Sequence, residues 1–305
     1  MILEFREDPT KKTVVVFASK RAARPKLFGK KVSCPFCKGA EHSTPPTTFA
    51  SPSEKNWKVR SFRNLFAAFS PQKPFKKKTS GFWKSFAFGD HEIIVESEDH
   101  RALFQDLNED NLQLVFKAYA NRVRGLSKRK GIKYVFLFKN HGRVAGASVD
   151  HEHAQIVALP FVPELIQREV DSEKKNNGCL YCRIMKLEKS NTLFENESFV
   201  AITPSFARFP SEIWVLPKEH KRFFSDFSNN EGLNLLKIIA RSVEAVYHTS
   251  KDYNVVFHIS PKEEDLHFHV EIYPRPNVWA GLELGAGLII NTKTEKDAFK
   301  ALKGF

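Results

Sequence analysis

The chain has 305 residues, 42% hydrophobic and 27% charged, with a net charge of +13. That composition excludes a disordered or fibrous protein, and no apolar run approaches the roughly 18 residues of a membrane-spanning helix. The N-terminal MILEFREDPTKK has no signal-peptide core, so a cytoplasmic protein of one large or two smaller domains is expected.

In chain order, the first landmark is the pair Cys34 and Cys37 in CPFC. In a reducing compartment this spacing indicates metal ligands or a redox motif before a structural disulfide. A strand EIIVESEDH ends at His100, and apolar spacing at i, i+3, i+4 and i+7 predicts a helix over 106–126. An aromatic, β-branched strand starts at Tyr134, the glycine-rich HGRVAGAS follows, and a strand begins His151-Glu152-His153. The polar segment 161–178 links this half to a second one. There the series recurs: Cys179 and Cys182, EIWVLPKEH ending at His220, a helix over 226–247, a strand from Tyr253, and His267-Phe268-His269. Both the histidines and the helices recur at a constant offset of 120 residues (His100 to His220, Asp106 to Asp226). Two copies of one α+β unit are therefore expected, divided as 1–165 and 166–305.

Alternate residues of a strand share a face, which aligns His151, His153 and Gln155. A neutral imidazole can attack phosphorus and carry a covalent phosphoryl group. Gln155 suits the phosphoryl oxygens, and the glycine-rich loop suits phosphate. Zinc takes four N/S ligands in a tetrahedron, and each half supplies a set: Cys34, Cys37, His100 and His151, then Cys179, Cys182, His220 and His267. His269 is an alternative ligand to His267, and iron an alternative metal in the second site. Because the second half lacks the H-x-H-x-Q pattern, it is expected to be structural. His42, His91 and His258 are expected to be ordinary core or polar histidines. The basic runs Lys26 to Lys38, Lys73 to Lys78 and Arg124 to Lys133 are expected to be solvated surface. Were they a binding face, the chain would be a zinc-stabilised nucleic-acid-binding protein, the rival from another class.

Nearly the whole chain resembles the galactose-1-phosphate uridylyltransferase family, the nucleotidyltransferase branch of the histidine-triad superfamily. The likeness is carried by VVVFASKRAARP, CPFC with Gly39 and Glu41, WKVRSFRNLFAAFS, HEIIVESEDH, FKNHGRVAGASVDHEHAQ, PSEIWVLPKEH and GLELGAG. It implies two histidine-triad-like halves, each an antiparallel sheet with a helix, in a homodimer with shared active sites. It implies that His153 is the nucleophile and Gln155 a contact to the transferring phosphoryl group. Asn64 would contact nucleotide, Asn140, Gly142 and Ser148 its phosphates, and Glu283 the sugar. Arg21 and Arg24 would reach phosphate in the partner subunit's site. The implied reaction is ping-pong transfer of UMP between UDP-glucose and galactose 1-phosphate. Three departures point instead to the branch with ADP-glucose phosphorylases: Glu152 replaces a proline, Leu65 an aspartate, and Asn277 lies where a lysine is usual. Phosphorolysis of an ADP-sugar is the alternative within the class.

Overall fold

A computed structural model describes residues 2–25, 27–29, 33–73, 78–80 and 82–304. The basic runs from Lys26 and from Lys73 fall partly outside these residues. The first half holds β1 (Leu3–Glu7), β2 (Val14–Ala18), β3 (Thr47–Ser51), β4 (Val59–Arg63), β5 (Lys78–Ser80), β6 (Phe82–Phe86) and β7 (Asp90–Val95). Helix α1 (Glu109–Ser127), β8 (Tyr134–His141) and β9 (His153–Leu159) complete it. Then come α2 (Glu164–Lys174), α3 (Leu180–Leu187), β10 (Thr192–Glu195), β11 (Phe199–Ile202) and β12 (Ile213–Pro217). The chain closes with α4 (Asn229–Thr249), β13 (Tyr253–His258), β14 (His269–Pro274), α5 (Gly281–Ala286) and α6 (Glu295–Lys303). Among the described residues no helix is long and apolar enough to cross a membrane.

The architecture is mixed α and β, dominated by antiparallel sheet. One sheet of ten strands runs β10-β11-β12-β14-β13-β8-β9-β7-β4-β3, and a smaller one runs β2-β1-β6-β5. The sheets of the two halves join edge to edge where β8 pairs antiparallel with β13, Asn140 opposite Asn254. A row of unpaired backbone groups at either edge would favour such pairing, and joining removes both edges.

Helices α1 and α4 pack on one face of this sheet. Asn108 caps α1 by accepting from Asn111 N at 2.9 Å, and Ser228 forms a capping box with Glu231 on α4. Their apolar stripes, Leu112, Val115, Phe116 and Tyr119 on one and Leu235, Ile239 and Val246 on the other, belong to a single buried core with strand residues of both halves. Gly232 admits the Phe116 ring where the helices meet; a Cβ there would lie 2.3 Å from it. Each buried Leu or Phe contributes about 1.5–3 kcal/mol. That face is thus fully committed to packing, and the opposite face is left for chemistry.

Candidate functional site

Both H-x-H segments lie on the face away from α1 and α4. Strand β7 stops at Val95 and β12 at Pro217, so His100 and His220 stand in the turns after the strands rather than at their ends. In the first half, Cys37 N donates to Cys34 O (3.3 Å), a tight turn that brings both thiols together. Cys34 Sγ and Cys37 Sγ each lie 3.7 Å from His151 Nδ1; His100 Nδ1 lies 3.5 Å from Cys37 Sγ and 3.4 Å from His151 Nδ1. Tetrahedral bonds of about 2.3 Å to sulfur and 2.05 Å to nitrogen give edges of about 3.3–3.8 Å. His151 Nε2 donates to Ser97 O (2.8 Å), which leaves Nδ1 as the lone pair facing the thiols. Burial pushes the Cys34 thiol up to about 11, with Cys37 adding to it, and lowers the His151 pKa. A divalent cation reverses the first effect and uses the neutral imidazole that the second favours. These four residues can therefore hold a metal ion.

The second half repeats the arrangement. Cys179, Cys182, His220 and His267 offer ligand atoms within 4.8 Å of one another. His267 Nδ1 lies 3.2 Å from Cys179 Sγ and 3.5 Å from Cys182 Sγ, while its Nε2 donates to Pro217 O (3.2 Å). Burial, with His220 and His269 nearby, lowers the His267 pKa to about 3. Of the two candidate histidines, His267 is the one that faces the cysteines; His269 instead donates Nδ1–H to His267 O (3.0 Å).

His153 begins β9 and lies 5% exposed at a cavity of about 100 Å³. Its Nδ1–H donates to His151 O (2.7 Å), so Nε2 keeps its lone pair. Burial drives its pKa down to about 4, which keeps the ring neutral at physiological pH. Gln155, Asn64, Ser148, Arg24, Phe62 and Phe36 line the same cavity. The Ser148 carbonyl accepts from Leu27 N (2.8 Å) and Phe28 N (3.0 Å), which fixes the loop against the segment that carries Arg24. Arg21 Nη1 donates to Phe66 O (2.8 Å), beside Asn64. Arg24 lines the cavity of its own chain, and Arg21 is held close to it through Phe66.

Four expected contacts do not line this cavity: Arg21, Asn140, Gly142 and Glu283. Asn140 Oδ1 accepts from Asn254 Nδ2 (2.8 Å). Gly142 has φ +86°, and a Cβ there would lie 2.2 Å from Asp252 Oδ1, so only glycine fits. Asp252 also accepts from Val144 N (2.6 Å), so the second half holds the glycine-rich loop of the first. Glu283 accepts from Ala280 N (3.0 Å) at the start of α5.

Two of the histidines expected to be core or polar, His91 and His258, are buried and hydrogen-bonded. His91 Nε2 lies 3.0 Å from Gln155 Oε1 and 3.2 Å from Asn64 Nδ2. His258 joins Glu169, His269 and Glu271 in a cluster whose ligand atoms lie within 4.8 Å of one another. His258 Nδ1 donates to Glu169 (2.9 Å), and Arg208 and Tyr273 both donate to Glu271. The strand periodicity of HEIIV does place His91 on the face of Ile93, but its neighbour across β9 depends on the register Ile93 opposite Gln155. Nothing local encodes that register.

Residues 19–163 match the N-terminal domain of galactose-1-phosphate uridyl transferase, and residues 165–277 match its C-terminal domain. The chain is 30% identical to an ADP-glucose phosphorylase of Arabidopsis thaliana, over 98% of this chain and 92% of that one. It is 28% identical to a galactose-1-phosphate uridylyltransferase of Thermotoga maritima, over 99% and 98%. The crystal structure of an Arabidopsis thaliana ADP-glucose phosphorylase with bound ADP-glucose superposes with a TM-score of 0.79 at 28% identity, covering 99% and 98% of the two chains. A uridylyltransferase structure superposes at 0.85 with 25% identity and the same coverage.

Proposed function

The chain belongs to the galactose-1-phosphate uridylyltransferase family and is a transferase, and from that premise we propose that it moves UMP between UDP-glucose and galactose 1-phosphate through His153. The family and its relatives support uridylyl or adenylyl transfer; the histidine is the finer reading. Nε2 of His153 attacks the α-phosphorus, the bond to the bridging oxygen breaks, and hexose 1-phosphate leaves with its electron pair. A second hexose 1-phosphate then attacks the same phosphorus and releases the histidine. One observation carries this reading: a neutral imidazole, oriented through the carbonyl of His151, at a cavity shared with Gln155, Asn64 and Arg24. A leaving phosphate is a weak base and needs little general acid, which suits an amide at position 155.

The second reading keeps the same histidine and replaces the donor with an ADP-sugar and the acceptor with phosphate. The Arabidopsis relative and Leu65, 63% exposed beside Asn64, favour it. Incubation with UDP-glucose labelled at the α-phosphate, and separately with labelled ADP-glucose, decides between them. Acid-labile label on His153 from UDP-glucose is expected; label from ADP-glucose alone transfers the assignment, and label from neither removes the covalent-histidine reading.

We read both Cys/His sets as zinc sites, two per chain, in which the metal fixes the strand that carries each H-x-H. We read the halves 1–165 and 166–305 as copies of one histidine-triad-like unit, on their matching element order. Four free cysteines suit a reducing cytoplasm. Val278, Leu282, Leu284, Leu288 and Ile290 expose apolar side chains in one run that also contains Glu283. A two-fold partner covering this run would make the homodimer and bring Glu283 to a sugar in the shared site. Light scattering at twice the 35.0 kDa chain mass is the expected result.

A further inference from the structure

We propose that His91 is a positioning residue for the transfer, holding the Gln155 amide so that its NH2 group, not its oxygen, meets the transferring phosphoryl group. The inference rests on the reading of Gln155 as the phosphoryl contact. It starts from a donor whose identity is fixed. The backbone N–H of Ala68 donates to His91 Nδ1 at 3.2 Å. A backbone amide can only donate, so Nδ1 is the acceptor and the hydrogen of the neutral ring sits on Nε2. The ring is 5% exposed, and burial lowers its pKa to about 4, with Arg21 and Arg24 adding to the effect against the Gln155 hydrogen bond. Nε2–H then donates to the only atom of Gln155 that can accept, Oε1, at 3.0 Å.

An amide held by its oxygen keeps its two N–H donors at the other end. Without His91, the two orientations of the Gln155 amide differ little, and one of them turns an oxygen lone pair toward phosphoryl oxygen. A second amide is set the same way. Phe66 N donates to Asn64 Oδ1 (2.9 Å), so Asn64 also directs its NH2 away from its fixed oxygen. That NH2 lies 3.2 Å from His91 Nε2, itself a donor, and its hydrogens remain for another acceptor. Asn64 N further donates to His91 O (2.8 Å), tying the two residues through the backbone. Two amide donors, Asn64 held by a backbone N–H and Gln155 by the His91 ring N–H, line the cavity of His153, an arrangement made for an anion.

The test is a double-variant cycle on the full-length chain. The readout is the single-turnover rate of labelling of His153 by α-phosphate-labelled UDP-glucose and ADP-glucose. His91→Leu removes the donor and is expected to slow labelling roughly tenfold at saturating donor. His91→Gln places an NH2 near the lost Nε2–H and is expected to recover most of that rate. In a Gln155→Ala background, His91→Leu is expected to make no further difference. Losses that multiply in the double variant overturn the proposal, as does failure of His91→Gln to recover. A wild-type chain that takes no label refutes the transfer reading itself, and a Gln155→Ala variant with unaltered rate refutes the phosphoryl contact; each removes the proposal's ground by a separate observation. Nitrogen-15 NMR of the wild-type histidines, with the His91 signal assigned by its loss in His91→Gln, adds a readout that needs no turnover. A neutral ring protonated on Nε2 is expected, and protonation on Nδ1 overturns the proposal even if His91→Leu does not fold.

Discussion

His141 donates Nδ1–H to Glu152 across 2.7 Å, and this one hydrogen bond joins the two ends of the glycine-rich loop 142–150. His141 is the last residue of β8, and Glu152 lies between the histidines of the first H-x-H. The Glu152 carboxylate also accepts from Lys139, which bridges to Glu96, and Tyr119 donates to Glu96. Lys139 is 2% exposed and Glu96 fully buried, so these charges depend on one another. Glu152 thus clamps the base of the loop.

Glu152→Gln is expected to lower stability by about 3 kcal/mol, the low end for breaking a buried ion pair, because Lys139 keeps Glu96. Thermal unfolding of the two proteins measures it. An unchanged melting temperature would mean that the cluster contributes nothing net.

The two Cys/His sets, read as zinc sites, are expected to differ in what they support. Cys37→Ser removes a ligand from the set that includes His151, whose carbonyl orients His153. It is expected to halve the zinc content and to slow labelling of His153 by roughly 10–100-fold. Cys182→Ser is expected to halve the zinc as well and to lower the melting temperature, with the labelling rate within a few-fold of wild type. Elemental analysis beside single-turnover labelling checks both. Equal kinetic losses in the two variants would contradict a catalytic role confined to the first half.

The recurring pattern was legible because both halves carry the same local signals: cysteine spacing, a helical stripe, an H-x-H at a strand start. Cys34, Cys37, His100 and His151 follow from residue chemistry plus order, and the ring geometry around them adds distances only. What could not be read is lateral pairing. The β8 to β13 junction merges two sheets into one, and Asp252 and Asn254 then anchor a loop more than 100 residues earlier in the chain. The partners of His91 and His258 were hidden for the same reason: Gln155, Glu169 and Glu271 come from other elements. Glu283 does not line the cavity of its own chain, so its place at a site depends on a partner chain that no local signal describes.

His153 and His269 make the same hydrogen bond, Nδ1–H to the carbonyl two residues before. They differ above the ring. Phe36 meets His153 edge-on at 5.2 Å, whereas Tyr181 stacks on His269 at 4.3 Å and Trp214 lies 5.7 Å from it. His269 is fully buried as a result. His153→Asn is expected to abolish labelling, a loss of roughly 10⁴-fold or more for a nucleophile. His269→Asn is expected to retain it and to melt earlier. Label recovered on His269 in the wild-type protein would refute the division of labour between the halves.

Stability above neutral pH is expected to report His258. Burial opposes its charge, but Glu169 and Glu271 outweigh burial and raise its pKa to about 9. A histidine with a raised folded-state pKa contributes fully below its unfolded value near 6.5, and the contribution is lost as pH rises through 9. Glu271 works in the opposite sense: burial would raise its pKa, yet His258, a hydrogen bond with His269 and the Arg208 charge hold it well below 4.5, so its share is present above 4.5 and lost as pH falls. The cluster is therefore strongest between about pH 5 and 6.5. From pH 6.5 to 9 the wild-type chain is expected to lose up to about 3 kcal/mol that His258→Gln does not lose. Urea titrations of both proteins at pH 6.5 and 9 give the difference directly. Parallel pH slopes would show that the imidazolium is not what holds Glu169 and Glu271 together.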